Sequence, residues 1–376
     1  MEKVIKLVHC ADIHLGSEPT FLKSKATLRG EELLLTFEKL IDFCQMEKVD
    51  ILLIAGDLFE SNNISDRYIK SVISAFAKIP DTIIAICGGN HDPITLDCAF
   101  NNNTLSDNVI IFSDFQTYRF PARGFMISGA GFTSSAQSST NFHNKKAEGN
   151  LINIGIFHGD IYSSESDKNP ISVSDIENSD YDYIALGHIH ARTEIIRHDN
   201  VFYAYSGCLE GRGFDEVGKK GFYYGEIGKG YNNLKFIQAG KRVHYIIDVD
   251  ISSCSNLSDM EKKIELEMHK HSKDISKDLF KINLIGGIPQ SFSFSTEALV
   301  ARFSEKVFYI KVIDKTTYEV DFNVLAQENS LMGIFAKKML SKIENAKSEE
   351  EKTMLKQALN FGIKASHSKL GGIYED

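Results

Sequence analysis

Seven side chains of metal-binding type follow short apolar runs between residues 12 and 190. They are two aspartates, one asparagine and four histidines: Asp12, His14, Asp57, Asn90, His158, His188 and His190. Carboxylate and carboxamide oxygens beside imidazole nitrogens, without a cysteine thiolate among them, favour manganese or iron as the bound metal, with zinc as an alternative. These residue types therefore predict a metal centre.

The number of candidate ligands indicates how many ions this centre holds. If one aspartate is shared, the set supplies four ligands to each of two ions and leaves positions open for water and phosphate. Two divalent ions roughly 3.5–4 Å apart suit in-line displacement at phosphorus, because a water that bridges them loses its proton near neutral pH. The chemistry expected here is therefore hydrolysis of a phosphoester.

Buried strands are the elements that must position these side chains. The apolar run Ile51–Ala55 ends in Gly56 and Asp57, which is typical of a strand buried on both faces. Similar runs precede the other candidates, and amphipathic helices are predicted between them at residues 30–49 and 65–79. This alternation predicts a parallel sheet, and the carboxyl ends of parallel strands meet at one edge. An aspartate after a glycine can also cap a turn, but repetition at five strand ends favours a metal site.

The spacing of the predicted elements divides the chain into three parts. Residues 1–250 combine the parallel strands with shorter β segments, which favours a two-layered, sandwich-like α/β domain. Residues 251–325 alternate between strand and helix patterns and predict a small α+β domain. Residues 326–376 carry two amphipathic helices, which form either a hairpin packed on the same protein or a surface that docks a partner.

The composition restricts the protein's class. The chain has 376 residues with a net charge of −9, which argues against wrapping nucleic acid by bulk electrostatics but leaves a local basic groove or phosphate binding through metal ions open. Six scattered cysteines form no zinc-finger pattern. No apolar run approaches the roughly 18 residues of a membrane span, and no signal-peptide pattern begins the chain. We therefore expect a cytoplasmic protein.

The candidate ligands lie in five motifs whose order resembles a known family. The motifs are Asp12-Ile13-His14, Gly56-Asp57, Gly89-Asn90-His91-Asp92, His158 and Gly187-His188-Ile189-His190. They look like the motif set of the calcineurin-like metallophosphoesterases, whose fold is a two-layered β-sandwich flanked by helices. The sequences DIHLG, GDLFE and Tyr205–Phe222 are more specifically similar to SbcD-type DNA repair nucleases and the related YhaO-like proteins.

This resemblance implies a role for each motif residue. Asp12, His14 and His190 would hold the first ion, and Asn90, His158 and His188 the second, with Asp57 as the bridging ligand. His91 would be the catalytic residue that stabilises the pentavalent phosphorus or protonates the leaving oxygen. Asp92 would either orient the His91 imidazole or cap the turn.

The resemblance also implies a substrate and partners. The expected activity is a manganese-dependent exonuclease and endonuclease that acts on DNA breaks or hairpins, as a nucleoid-associated homodimer with an SbcC-like coiled-coil ATPase. Residues 251–325 would cap the DNA, and residues 326–376 would dock on the ATPase. If DNA is the substrate, its phosphates need basic contacts, for which the candidates are Arg192, Arg212, Lys219 and Lys220.

Two alternatives and one departure from the family pattern remain. The metal centre could act on a small phosphodiester or nucleotide, or the chain could be a non-catalytic scaffold that recruits an ATPase. Several family members have a histidine, implicated in placing DNA for exonuclease action, three residues after the bridging aspartate. This chain has Glu60 at that position, which leaves the polarity and efficiency of an exonuclease open.

Overall fold

The computed structural model describes residues 3–100, 103–144, 146, 148–289, 292–319 and 322–367. The chain divides into two compact units, residues 1–244 and 245–376. The predicted domain boundary at residue 250 lies a few residues later, because the strand His244–Asp250 belongs to a sheet of the second unit. In the part of the chain that the structure describes, no helix is both long and apolar enough to cross a membrane.

The first unit contains thirteen strands and three helices within its described residues. The strands are β1 (Ile5–Cys10), β2 (Ile51–Ala55), β3 (Ile83–Cys87), β4 (Val109–Phe112), β5 (Gln116–Phe120), β6 (Phe125–Ala130), β7 (Ile152–His158), β8 (Tyr183–Gly187), β9 (Ile196–His198), β10 (Val201–Tyr205), β11 (Gly221–Gly228), β12 (Tyr231–Asn232) and β13 (Lys235–Gln238). The helices are α1 (Ala26–Glu47), α2 (Asp66–Phe76) and α3 (Val173–Glu177), and a short 3-10 turn covers Thr20–Lys25.

These strands form two sheets. The first has the order β12-β11-β1-β2-β3-β4, with β13 also paired to β11, and the second has the order β5-β6-β7-β8-β10-β9. Strands β1 to β4 are parallel to one another, as are β6, β7, β8 and β10. The parallel arrangement that the alternating helices and strands predict is therefore confirmed.

Two apolar cores explain why the strands read as continuous apolar runs. Leu53 of β2 shares a core with Ile127 and Ile154, which belong to the second sheet, so the two sheets pack face to face. Leu52, its neighbour, points to the other face and shares a core with Phe37 of α1. Each strand of this kind is buried on both sides, which leaves only its carboxyl end for polar chemistry.

The second unit has smaller sheets and five helices among its described residues. Its elements are β14 (His244–Asp250), α4 (Leu257–His271), β15 (Leu279–Ile285), β16 (Gly287–Pro289), α5 (Thr296–Phe303), β17 (Tyr309–Asp314), β18 (Thr317–Glu319), α6 (Phe322–Leu325), α7 (Leu331–Glu344) and α8 (Glu349–His367), with a short 3-10 turn at Ile275–Lys277. Helices α4 and α5 share a core with β15 and β17, whereas α6, α7 and α8 enclose an apolar cluster of their own. Residues 368–376 of the predicted C-terminal helices lie outside the described residues.

Candidate metal centre

The seven predicted ligands lie at the carboxyl ends of five strands. Asp12 and His14 follow β1, Asp57 follows β2 and Asn90 follows β3. His158 is the last residue of β7, and His188 and His190 follow β8. The ligands therefore come from both sheets, whereas the sequence pattern predicts one sheet edge. Face-to-face packing brings the ends of β7 and β8 beside those of β1 and β2, so the convergence is retained.

A first group of ligands consists of Asp12, His14, Asp57 and His190, whose ligand atoms all lie within 4.8 Å of one another. The Nε2 atoms of His14 and His190 are 3.3 Å apart. His14 Nε2 lies 3.7 Å from Asp57 Oδ2, and His190 Nε2 lies 4.0 Å from Asp12 Oδ1. This spacing of two imidazoles and two carboxylates could hold one cation.

A second group forms around Asn90. Its Oδ1 lies 3.1 Å from His158 Nε2 and 3.2 Å from His188 Nδ1. Asp57 Oδ2 lies 3.5 Å from the same His158 Nε2, so the Asp57 carboxylate stands between the two groups. This is the position that a bridging ligand would take.

The direction of the hydrogen bonds shows that these side chains present lone pairs suited to a cation. His158 Nδ1 donates to the Ala55 carbonyl at 2.9 Å, so in the neutral ring Nε2 carries a lone pair. That lone pair faces the oxygens of Asn90 and Asp57, which are acceptors as well. Acceptors that converge in a buried site repel one another, and a bound cation between them removes the repulsion.

The backbone at this site is held in an unfavourable conformation. Asp12, His14, Asp57 and His188 have φ values of 50°, 51°, 50° and 102°, in the region that L-residues seldom adopt. A Cβ on Gly89 would stand 2.0 Å from Asp57 Oδ1, so this position requires glycine. Strain of this kind costs free energy and typically persists at functional sites.

Burial and neighbouring groups together keep three candidate ligands in the protonation state that metal binding requires. It lowers the pKa of His14 and of His188, which favours the neutral imidazole. Burial alone would raise the pKa of Asp57, but the nearby His158 and His14 rings and the His91 amide lower it, so the carboxylate stays ionised. Neutral imidazoles and an ionised carboxylate are the ligand forms.

Three charged residues contact the two histidines of the first group. Glu216 Oε1 accepts a hydrogen bond from His190 Nδ1 at 2.7 Å, and Glu60 Oε2 lies 3.2 Å from His14 Nδ1. Arg212 donates to both carboxylates. Burial opposes protonation of His190, but the hydrogen bond to Glu216 together with the negative charges of Asp12 and Glu216 outweighs it, and the pKa of the imidazole is raised. Glu216 is not predicted from the sequence, because it lies in a glycine-rich loop with no periodic pattern.

His91 and Asp92 follow Asn90 and occupy different environments. His91 is 37% exposed, its ring stands edge-on to that of His14 at 4.7 Å, and its Nδ1 donates to the Glu60 carbonyl at 3.1 Å. Asp92 is buried and accepts from the amides of Phe59 at 3.0 Å and Gly89 at 2.9 Å. Burial raises the pKa of Asp92 to about 7. Of the two roles offered for Asp92, these contacts correspond to the capping one.

The basic residues considered for DNA contact are mostly engaged within the protein. Arg192 lies 4.6 Å above the Phe236 ring and donates to Tyr223 at 3.2 Å. Lys220 is buried and donates to the His190 carbonyl at 3.0 Å. Arg212 is paired with carboxylates as described above, whereas the Lys219 side chain is exposed. The positive charge directed toward solvent is therefore smaller than the sequence suggests.

This fold and donor set define a metal-dependent phosphoesterase. Residues 5–192 match the calcineurin-like phosphoesterase family, and the chain belongs to that family, as its motifs predict.

Three proteins with sequences similar to this chain are described as a metallophosphoesterase, a DNA repair protein and a nuclease component. The uncharacterized metallophosphoesterase YhaO of Bacillus subtilis is 27% identical over 305 residues, which cover 76% of this chain and 73% of that protein. The DNA double-strand break repair protein Mre11 of Methanococcus maripaludis is 24% identical over 91% of this chain and 97% of its own length. The SbcD component of the nuclease SbcCD of Staphylococcus saprophyticus is 22% identical over 92% of this chain and 99% of that protein.

Proposed function

We propose that this protein is a metal-dependent DNA nuclease that hydrolyses phosphodiesters at double-strand breaks or hairpins with two divalent ions, most suitably Mn²⁺. The observation that carries the proposal is the convergence of seven acceptor side chains into two groups that share Asp57. Similarity to a nuclease component and to a double-strand break repair protein, over nine-tenths of the chain, supports DNA as the substrate.

The side chains have distinct roles in this proposal. Asp12, His14 and His190 would hold one ion, and Asn90, His158 and His188 the other, with Asp57 bound to both. The ions, when bound, would polarise the phosphoryl group and lower the pKa of a bound water so that it attacks phosphorus. The chain has to supply two rigid ligand groups in which each imidazole presents its lone pair to the ion. For His158, the hydrogen bond from Nδ1 to the Ala55 carbonyl leaves the Nε2 lone pair available to the second ion.

His91 is suited to act on the substrate. Its exposure allows contact with a phosphoester, and its Nδ1 is occupied by the Glu60 carbonyl, so Nε2 is the nitrogen available to the reacting group. As an imidazolium, this ring would stabilise the developing negative charge or protonate the leaving oxygen. The Glu60 carbonyl fixes the ring orientation that this transfer needs.

The second unit supports a proposed partnership with an SbcC-like coiled-coil ATPase. Large apolar side chains are exposed on α7 and α8, among them Leu331 at 82%, Met354 at 62% and Phe361 at 57%. Exposed apolar side chains of this kind suit a docking surface. Leu331→Asp should abolish co-elution with the ATPase, whereas Leu266→Asp, an exposed leucine of α4, should not. Equal binding by both variants would exclude the hairpin as the docking site.

The remaining parts of the proposal rest on the similarity to the related nucleases. A DNA nuclease of this type would act as a homodimer in the cytoplasm, close to the nucleoid, with residues 251–325 capping the DNA. The intact ligand set argues against a scaffold role without catalysis. A scaffold would keep its partner binding in metal-free form and would cut no substrate when Mn²⁺ is supplied.

A small phosphodiester or nucleotide is the second candidate substrate. The observation that favours it is that Arg212 and Lys220 are engaged within the protein, which leaves fewer of the expected basic groups for a long polyanion. The metal centre and its chemistry would be the same in both cases. The two proposals therefore differ only in what binds beyond the scissile phosphate.

One experiment separates the two substrates. The full-length protein with Mn²⁺ is incubated with end-labelled double-stranded, single-stranded and hairpin DNA, and in parallel with a cyclic nucleotide and a generic phosphodiester. The nuclease proposal expects cutting of DNA ends or hairpins, and Asp57→Ala should remove it. Hydrolysis of the cyclic nucleotide with all DNA left intact would replace the nuclease proposal with the second candidate.

A further inference from the structure

The two histidines of the first ligand group and three charged residues form a closed ring of contacts. Arg212 connects Glu60 and Glu216, donating from Nη1 to Glu60 Oε2 at 2.8 Å and from Nη2 to Glu216 Oε1 at 2.9 Å. Glu216 accepts from His190 Nδ1 at 2.7 Å, and Glu60 Oε2 lies 3.2 Å from His14 Nδ1. The Nε2 atoms of the two histidines are 3.3 Å apart and complete the ring. We call Glu60, Arg212 and Glu216 the carboxylate bridge.

The members of the carboxylate bridge come from distant parts of the sequence. Glu60 lies after β2, whereas Arg212 and Glu216 lie in the loop between β10 and β11. The side chain of Glu216 is only 3% exposed, and its second oxygen accepts from the Arg212 amide at 2.6 Å. Because the Glu216 carboxylate is fixed on both oxygens, it can hold His190 in one orientation.

This arrangement has a definite chemical effect on the histidines. The hydrogen bond from His190 Nδ1 to the Glu216 carboxylate fixes the tautomer that carries a lone pair on Nε2 and makes that nitrogen a stronger ligand. For His14 the contribution of Glu60 is its negative charge, 3.2 Å from Nδ1. Glu60 and Glu216 together with Arg212 also carry one net negative charge beside the two histidines, which favours binding of a cation. In the second ligand group, by contrast, His158 Nδ1 meets the neutral carbonyl of Ala55. The two groups therefore differ in the charge that supports them.

We propose that Glu60, Arg212 and Glu216 are positioning residues that hold His14 and His190 for a divalent ion and make the first site the tighter of the two. The inference rests on the two-ion centre proposed above. It gives Glu60, at the position where this chain departs from the related nucleases, a role in metal retention rather than in contact with DNA. It also accounts for Arg212, whose guanidinium is used within the site.

The test is a titration of Mn²⁺ into the metal-free full-length protein by isothermal calorimetry, without substrate. Wild-type protein should bind two ions with unequal affinities. Glu60→Gln and Glu216→Gln should each weaken the tighter step by about 10–100-fold and leave the weaker step unchanged. Glu194→Gln is the matched control. Glu194 also pairs with an arginine, Arg192, at 2.8 Å, but its side chain is 83% exposed. This variant should titrate like wild type.

The melting temperature of each metal-free variant distinguishes metal positioning from a purely structural role. Lower melting temperatures with unchanged Mn²⁺ affinities would show that the bridge serves only the fold and would overturn the inference. Glu216→Gln could misfold because Glu216 is buried, so Glu60→Gln is the decisive variant, and unchanged binding in it also overturns the inference. If wild-type protein binds no Mn²⁺, the two-ion centre itself fails.

Discussion

Removing one buried carboxylate, Glu32 of α1, should destabilise the first unit far more than removing its neighbour on the same helix. Glu32 Oε1 accepts from Lys241 Nζ at 2.7 Å and Arg242 Nη2 at 2.6 Å. Its Oε2 accepts from Arg29 Nη1 at 2.6 Å and Arg242 Nε at 2.7 Å. Glu32 and Arg29 are 1% and 0% exposed, so Glu32→Gln would remove the buried charge that Arg242 and Arg29 share and leave Glu210 as the carboxylate partner of Arg29.

The size of the effect follows from this burial. Breaking one side of a buried ion pair costs about 3–5 kcal/mol, because the remaining charge has lost a compensating partner. For a unit of this size each kcal/mol lowers the melting temperature by about 2–4 °C, so Glu32→Gln should lower it by about 6–20 °C. Glu31→Gln is the control, since Glu31 pairs with Arg67 on the surface, where ion pairs contribute little.

The acid dependence gives a second measure of the same interaction. Burial alone would raise the pKa of Glu32, but hydrogen bonds from Arg242, Lys241 and Arg29 outweigh it and lower the pKa from 4.5 to about 2. The stabilisation is therefore fully present above about pH 4.5 and is lost as the pH falls toward 2.

Thermal melts of wild type, Glu32→Gln and Glu31→Gln at pH 7 and pH 3 test both statements. The gap between wild type and Glu32→Gln should be wide at pH 7 and narrower at pH 3. Equal melting temperatures of Glu32→Gln and the Glu31→Gln control would refute the reasoning. So would a difference in melting temperature between wild type and Glu32→Gln that does not change with pH.

Two further predictions concern the site itself. His91→Gln should lower the rate of phosphodiester hydrolysis by about 10²–10⁴-fold with unchanged Mn²⁺ binding, and a parallel loss of Mn²⁺ would make His91 a ligand instead. Gly89→Ala should lose both Mn²⁺ binding and hydrolysis, because the added Cβ would stand 2.0 Å from Asp57 Oδ1. Gly240→Ala is its control, with a nearest contact of 3.4 Å, and equal activity of the two variants would contradict the crowding argument.

The sequence predicts the core strands well because they are buried on both faces. Ile51–Ala55 forms the strand that its apolar run predicts, and Asp57 follows it as expected. The helix predicted at residues 65–79 covers Asp66–Phe76, with Ser65 accepting from Arg67 N as its N-cap. Strand Gln116–Phe120 is not predicted from the sequence, because it is partly exposed at a sheet edge and has no apolar run.

The sequence does not reveal which sheet a strand joins. A strand end carries the same signal in either layer, so the pairing of β7 and β8 in a second sheet is visible only in the structure. The ligands still converge, because two sheets packed face to face present their carboxyl ends together.

Charged residues are the hardest to interpret from sequence. Arg212 and Lys220 are candidates for DNA contact by sequence, but both side chains turn inward, toward Glu216 and the His190 carbonyl. A basic residue in a loop has no periodicity to show which way it faces. Glu60 stands out as a departure from the family pattern, but the sequence does not show its contact with His14. That contact exists because the loops after β1 and β2 lie side by side.

The central claim is that hydrolysis depends on two ions that share Asp57. The direct measurement is a titration of Mn²⁺ into metal-free protein while the hydrolysis of bis(p-nitrophenyl) phosphate is followed by absorbance. The account predicts no hydrolysis without metal, a rate that saturates when two ions are bound per chain, and no rescue of Asp57→Ala at any Mn²⁺ concentration. Hydrolysis in the presence of excess chelator, or full activity of Asp57→Ala, would contradict it.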